Sequence, residues 1–339
     1  MGFKENCKVS LRANSTTLRV TTAIDVIIVA LASIAGVGCG IFGLRSTQEL
    51  NQRLRKFDSS LQLFTITKNE RNKCGAMAII TLAVCVGLLC FDYFVWMEIL
   101  SGQHTAEQKL KATLMWYLPF YGRYIAVIGS QILYANNVLG FGRRFQRLNK
   151  ILEYEFLSEQ MSSSHHQLTA ELRCKAKTRA HILRTLAYNY GSVSKCVEIF
   201  SNTFGFSTLC DLTSCLIHLV ITAHFILLAL KNPIIDRYLI NLTMWMVLHI
   251  FRLLLVVEVC QMATVQSEKT KQLVAEIKRT HYERLLAVEL KSFLHQLLVF
   301  EVKFSVMGIF KINRNILTAF GSAIATYLIM VTQFQNSSG

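Results

Sequence analysis

Proline is nearly absent from this chain, and charge is scarce. Two prolines and 17 glycines in 339 residues exclude collagen, low-complexity polymer and a long flexible linker. Only 17% of residues are charged, 52% are apolar and the mean hydropathy is +0.37. Polar surface this sparse cannot coat the two soluble domains that the length alone would suggest. Cysteine is plentiful at ten, yet no Cys-x-x-Cys pair and no Cys/His ligand spacing occurs. Cys39, Cys85, Cys90, Cys210, Cys215 and Cys260 sit in apolar runs, as small core-facing or lipid-facing side chains do. No disulfide framework, metal site or cofactor is expected.

The apolar residues are gathered into six stretches long enough to cross about 30 Å of hydrocarbon. They are span A (Thr21–Leu44), B (Gly75–Leu100), C (Ala112–Phe141), D (Phe204–Leu230), E (Tyr238–Met262) and F (Ile316–Gln333). Unpaired backbone groups are costly in lipid and the runs lack the alternation of a membrane barrel, so helices are expected. A cleaved signal peptide fits span A poorly, because its apolar run is too long and no small-x-small site follows. A seventh run, Leu285–Phe310, carries Glu289, Lys291, His295, Glu301 and Lys303. It is expected as a helix outside the bilayer. Gly142–Thr203 and Ala263–Asn315 keep helical spacing and should prolong spans C, D and E into a cytoplasmic bundle.

Lys and Arg set the orientation. The segments after A, C and E hold 7, 10 and 9 of them, those after B and D hold 2 each, the N-terminal segment 4 and the tail none. The basic segments belong inside, so both termini are expected outside. The expected divisions are an extracellular segment 1–20, spans A to E over 21–262 with the ligand-pocket region, a cytoplasmic anchor segment 263–315, a last helix 316–335 and an extracellular tail 336–339. Sequons at Asn14, Asn241 and Asn336 all fall on the outer side as glycosylation candidates. The net charge of +15 then reflects topology and attraction to the lipid bilayer, and no nucleic-acid partner is called for.

Polar residues inside spans are spaced to share faces. Span D carries Asp211, Cys215, His218 and Thr222; span E carries Trp245, His249 and Arg252; span C carries Tyr117, Tyr121 and Tyr124 with Arg123 beside them; span B carries Asp92 and Trp96. Two readings are open: interhelical glue, or an outward-opening pocket with aromatic walls. The pocket candidates are Asp92, Tyr93, Trp96, Tyr117, Tyr121, Arg123, His224 and Trp245, whereas Arg252 and Glu258 are expected to snorkel or pair structurally. On span F, Thr318, Ser322, Thr326, Ile329 and Gln333 fall within an arc of about 80°, with Met330 at its edge. Such a stripe suits the wall of a water-filled pore shared among copies, or hydroxyls bonded back to their own helix.

Span F ends ATYLIMVTQF, and its Thr326-Tyr327 followed five residues on by Gln333-Phe334 resembles the C-terminal TYxxxxxQF signature of the insect gustatory receptor family. LRKFDSSLQ around Phe57-Asp58, RRFQRLNKIL with Arg147, Leu148 and Asn149, SEKTKQLV, ELKSFLHQ over Glu289–Gln296 and GIFKIN over Gly308–Asn313 look like further family segments, in order along most of the chain. The resemblance implies an all-α polytopic channel subunit. It would be a ligand-gated, non-selective cation channel of four subunits, copies of this chain or other gustatory receptor subunits, in the plasma membrane of sensory neurons. The last helices would line a central pore for permeant cations, at Met330, Gln333 and Phe334; the 80° stripe puts Phe334 nearly opposite. It also implies an outer ligand pocket in each subunit and a shared cytoplasmic anchor. Family members have seven spans, and the LRKFDSSLQ match aligns span A with their second. Family breadth points first to a bitter compound or contact pheromone as the tastant.

Other function classes fit less well. Asp236-Arg237-Tyr238 spells a G-protein-coupled receptor triplet but opens span E on the outer side. His165, His166 and His181 make no convincing oxidation site, and no nucleophile with a positioned base emerges. A transporter would show repeats or broken helices, and Pro119 alone suggests a kink.

Overall fold

The computed structural model describes residues 16–61, 68–100, 105–157, 169–230, 236–280 and 284–337. Helices α1 (Thr16–Phe42), α2 (Leu44–Ser60) and α3 (Lys68–Leu100) come first. The short α4 (Ala106–Ala112) runs through a π-helical turn, Thr113–Tyr117, into α5 (Leu118–Leu152). A second π-helical turn, Glu153–Leu157, ends α5. Then follow α6 (Thr169–Leu230), α7 (Asp236–Thr280) and α8 (Arg284–Val299), the strands β1 (Ser305–Val306) and β2 (Phe310–Lys311), and α9 (Asn315–Ser337).

Among the described residues, six helices are long and apolar enough to cross a membrane. They fall on the six expected spans, in α1, α3, α5, α6, α7 and α9. Helix α6 has 62 residues, a length of about 90 Å, so much of it projects beyond a bilayer core of about 30 Å. This is the expected prolongation of the spans into a bundle. The kink expected at Pro119 takes the form of the π-helical turn just before it, where a ring without an N–H leaves a carbonyl one turn back without its usual partner.

The projecting ends form the largest core. Phe57 from α2, Phe141 and Phe145 from α5, Tyr190 and Phe200 from α6, and Phe293 from α8 are all buried there. Gly43 lets α2 turn off α1 against α6, since a Cβ there would stand 2.4 Å from Thr203 Cγ2. The family-like segments meet in this region. Arg144 donates to both oxygens of Asp58, at 3.2 and 2.6 Å. Asn149 donates to the Gln266 carbonyl at 2.8 Å and accepts from the Thr270 hydroxyl at 2.7 Å. Glu289 of α8 pairs with Arg184 of α6.

The expected helix over Leu285–Phe310 is corrected. It stops at Val299, and the chain turns into an antiparallel hairpin that pairs Ser305 with Lys311 and Val306 with Phe310. Met307 at φ 49° and Gly308 at φ 73° make the turn, both in the left-handed region that a two-residue hairpin turn uses. The hairpin and its approach instead insert Val302, Phe304, Val306 and Ile312 into the core. Lys303 and Lys311 flank Glu301, and the hydrogen bond from Lys303 holds its carboxyl below the usual carboxylate range.

Helix α9 packs along α6 and α7 through Ile316, Leu317, Phe320 and Ile324. Its opposite side is exposed.

Candidate functional site

At the end of the bundle away from the hairpin, a cavity of about 80 Å³ opens between α1, α3, α5, α6 and α7. Trp96 of α3, Trp245 of α7, and Phe120 and Tyr124 of α5 supply aromatic wall. The polar lining is Asp25 of α1, Asp92 of α3, His218 and Thr222 of α6, and His249 of α7, with Ile221, Phe225 and Leu242 completing it. The spacing of the α6 residues explains their presence: 218, 221, 222 and 225 recur every three or four positions and share one face.

Asp92 is the hub of one side. Its Oδ1 accepts from Asn241 Nδ2 at 2.6 Å and from Trp245 Nε1 at 2.8 Å, and its Oδ2 accepts from the Tyr121 hydroxyl at 2.6 Å. A buried carboxylate is tolerable because three donors face it. Its role is to fix Trp245 and Tyr121 in place. Behind it Tyr93 stacks edge-on with Tyr117 and Tyr121, at 6.2 and 6.5 Å, and shares a hydrogen bond with Thr113. These three tyrosines brace the wall and do not line the cavity. Tyr238 lies edge-on to Trp96 at 6.4 Å, and Arg237 grips both oxygens of Glu98, at 2.6 and 2.7 Å.

At the cavity floor Trp245 stacks on His249 at 5.6 Å, and His249 lies 4.6 Å from His218. Arg252 is buried, donates to Gln131 Oε1 at 2.8 Å and sits 6.0 Å from the centre of the Tyr124 ring. Glu258 receives both hydrogen bonds of Arg314, at 2.9 and 2.7 Å, just before α9 begins. Glu258 thus pairs structurally, with Arg314, whereas Arg252 is held by the neutral Gln131 amide rather than by a carboxylate.

Of the expected pocket residues, Asp92, Trp96 and Trp245 line the cavity. Tyr93, Tyr117 and Tyr121 stand behind its wall, and the structure places three further expected residues elsewhere. Arg123 is exposed, because α5 turns Tyr124 inward and carries its neighbour about 100° away. His224 is buried against Tyr327 of α9, at 6.3 Å, and beside Phe225, at 6.1 Å; it is one helix step off the cavity face. Asn241 is 3% exposed and its amide nitrogen, the atom a glycan would use, is bonded to Asp92, so it is not a surface sequon. Asn14 lies outside the described residues, as do the side chains of Asn336 and Phe334. The reading of the sequence missed Asp25, although it is an acidic residue within span A and the rule used for the other spans applies to it. The stripes that carry His218, His249, Tyr124 and Thr222 are legible in the sequence, but their place at the cavity is not.

On α9, Thr318, Ser322, Thr326, Ile329, Met330 and Gln333 are all exposed on the side away from α6. The Thr318 hydroxyl bonds back to the Asn315 carbonyl at 2.8 Å.

Residues 6–337 match the family described as 7tm chemosensory receptor. The chain belongs to that family. This chemosensory receptor is 38% identical, over 367 aligned positions, to "Gustatory receptor for sugar taste 43a" of Drosophila melanogaster, an alignment covering 99% of this chain and 86% of that protein. It is 30% identical over 93 residues to "Gustatory and pheromone receptor 32a" of the same organism, covering 27% of this chain and 19% of that one. Its fold is that of the insect olfactory receptor OR5 from Machilis hrabei, with a TM-score of 0.67 at 12% identity over 97% of this chain and 85% of that one. The eugenol complex of OR5 matches with a TM-score of 0.67 at 13% identity, over 98% and 86%. The chain is a multi-pass membrane protein and a gustatory receptor homologue of an insect chemoreceptor fold, not an enzyme. Nothing in these likenesses supports the bitter or pheromone class named first from family breadth.

Proposed function

We propose that this chain is a subunit of a tastant-gated, non-selective cation channel in the plasma membrane of sensory neurons, and that its tastant is a sugar. The observation that carries this reading is the lining of the cavity, which at about 80 Å³ must widen to admit a whole hexose. Two tryptophan faces can stack on the apolar face of a sugar ring, while Asp25, His218, Thr222 and His249 can bond its hydroxyls. The relative that aligns with nearly the whole chain is named for sugar taste. Under the charge-based orientation the cavity opens outward, where a tastant arrives.

The conduction path would form where the exposed stripe of α9 meets its counterparts around a four-fold axis, with other copies or other gustatory receptor subunits. Ile329 and Met330 would close it by dewetting, and Thr326 and Gln333 would accept partly hydrated cations. A ligand opens such an assembly only by binding the open state more tightly. Phe225 lines the cavity and His224, one residue back, touches Tyr327 of α9, so a shift of this part of α6 is felt at both places.

Currents recorded from cells expressing the chain, alone and with other gustatory receptor subunits, during application of a hexose panel test the proposal. Hexose-evoked inward current altered by Gln333→Ala or Met330→Ala is expected. Current unaffected by both substitutions would remove α9 from the pore, and the absence of any hexose response at normal surface expression would remove sugar as the tastant.

A further inference from the structure

The two histidines at the cavity floor have their ring hydrogens placed by their neighbours. A guanidinium only donates, and Arg252 Nη1 stands 3.3 Å from His249 Nδ1. His249 Nδ1 is therefore the acceptor, its ring is neutral, and Nε2 carries the hydrogen. His218 is the reverse case. Its Nδ1 lies 2.6 Å from the main-chain oxygen of Ser214, which only accepts, so Nδ1 carries a hydrogen. The other nitrogen of that ring, Nε2, lies 3.0 Å from Asp25 Oδ1. A neutral ring would set a bare lone pair against a carboxylate oxygen, two acceptors at hydrogen-bond distance. The contact is attractive only when one more proton lies between them, on the ring or on the carboxyl.

The surroundings leave this pair as the reactive part of the site. Asp92, the other carboxylate lining the cavity, is filled by Asn241, Trp245 and Tyr121. From α5 the Tyr124 ring faces His218 edge-on at 5.7 Å, and from α7 come neutral His249 and the fixed charge of Arg252. On α6 itself Asp211 and Cys215 are buried nearby. Asp25 and the His218 ring border the cavity, with Nε2 itself buried against Asp25, the partly exposed member of the pair.

We infer that the Asp25–His218 pair is a proton-binding site in the cavity wall, and that this proton and a hydroxyl of the ligand compete for the Asp25 carboxylate. With the proton present the pair closes on itself. With it gone, the Asp25 carboxylate, the partly exposed member of the pair, can accept from a ligand hydroxyl. This rests on the reading of the cavity as the tastant site. Acid on the cavity side would thus weaken ligand binding without changing the channel's capacity to conduct.

The test is the half-maximal concentration of whichever hexose of the panel evokes current, measured between about pH 8 and about pH 5. One competing proton raises it by up to about tenfold per pH unit, with maximal current unchanged. Asp25→Asn supplies an N–H in place of the proton, so it should show the low, acid-like potency at every pH. Potency that is flat with pH in the wild-type chain, or still pH-dependent in Asp25→Asn at normal surface expression, would overturn the inference. If no hexose evokes current, the tastant reading fails separately, and infrared titration of the ligand-free full chain decides the proton site. A carboxyl or imidazole signal that titrates and is removed by both Asp25→Asn and His218→Gln upholds it; the lack of such a signal overturns it.

Discussion

Phe141, Phe145, Phe200 and Phe304, in the half of the bundle that holds the hairpin, are each at most 2% exposed; Phe141 lies ring against ring with Phe200 and Phe304, and Phe145 with Tyr190. In the cavity half the separate apolar cluster is small, formed by Val29, Cys85, Leu89, Tyr124, Ile128 and Leu248, and the interior beside it is Asp25, Asp92, His218, Trp245 and His249. One half is packed for rigidity, and the other keeps polar groups and open volume among the same helices. Because α5, α6 and α7 run through both halves, the compact one can hold their spacing while the other accommodates a ligand.

The largest expected contrast is in stability. Phe145→Ala removes a fully buried ring from the compact half and should cost about 3–5 kcal/mol, seen as a large fall in Tm of the purified receptor and in surface yield. Phe120→Ala, at the cavity edge, should change Tm little; an equal loss from both would erase the distinction between the halves. Next comes Asp92→Ala, which strands the donors of Asn241, Trp245 and Tyr121. Each stranded donor costs about 1–3 kcal/mol if no water replaces the carboxylate, so Tm and hexose response should fall together. A full response with unchanged Tm would show that Asp92 organises nothing.

Trp96→Ala should spare Tm and maximal current while raising the half-maximal hexose concentration about tenfold, roughly 1.4 kcal/mol of binding. Equal loss of potency and maximal current at normal surface expression would make Trp96 structural. The smallest effect is expected at the hairpin. Its ion pairs lower Glu301, so their contribution is present above the usual carboxylate range and lost as pH falls through the lowered value. Glu301→Gln should therefore lower Tm slightly at neutral pH and not at all in strong acid, because the pair is exposed.

The spans were legible because twenty apolar residues in a row admit few alternatives, and the prolonged helices because their leucines keep a helical period. The hairpin was not legible. Val302, Phe304 and Val306 continue an apolar run that hydropathy joins to α8, and the left-handed turn at Met307-Gly308 leaves only one glycine as a signal. In the site, spacing found the stripes of α6 and α7 but not how each helix is rotated about its axis. His224 and Arg123 were misplaced by single helix steps for that reason. Asn241 looked like a surface sequon because its bond to Asp92 joins residues far apart in the chain.

The central claim is that the stripe of α9 faces a wet path opened by ligand at the cavity. Cysteine placed at Thr326 and treated with a charged thiol reagent during hexose application tests it most directly. The account predicts that hexose-evoked current is blocked, and blocked faster with hexose than without. Current untouched by the reagent in both conditions, with the substituted chain at the surface and responsive to hexose, would contradict it.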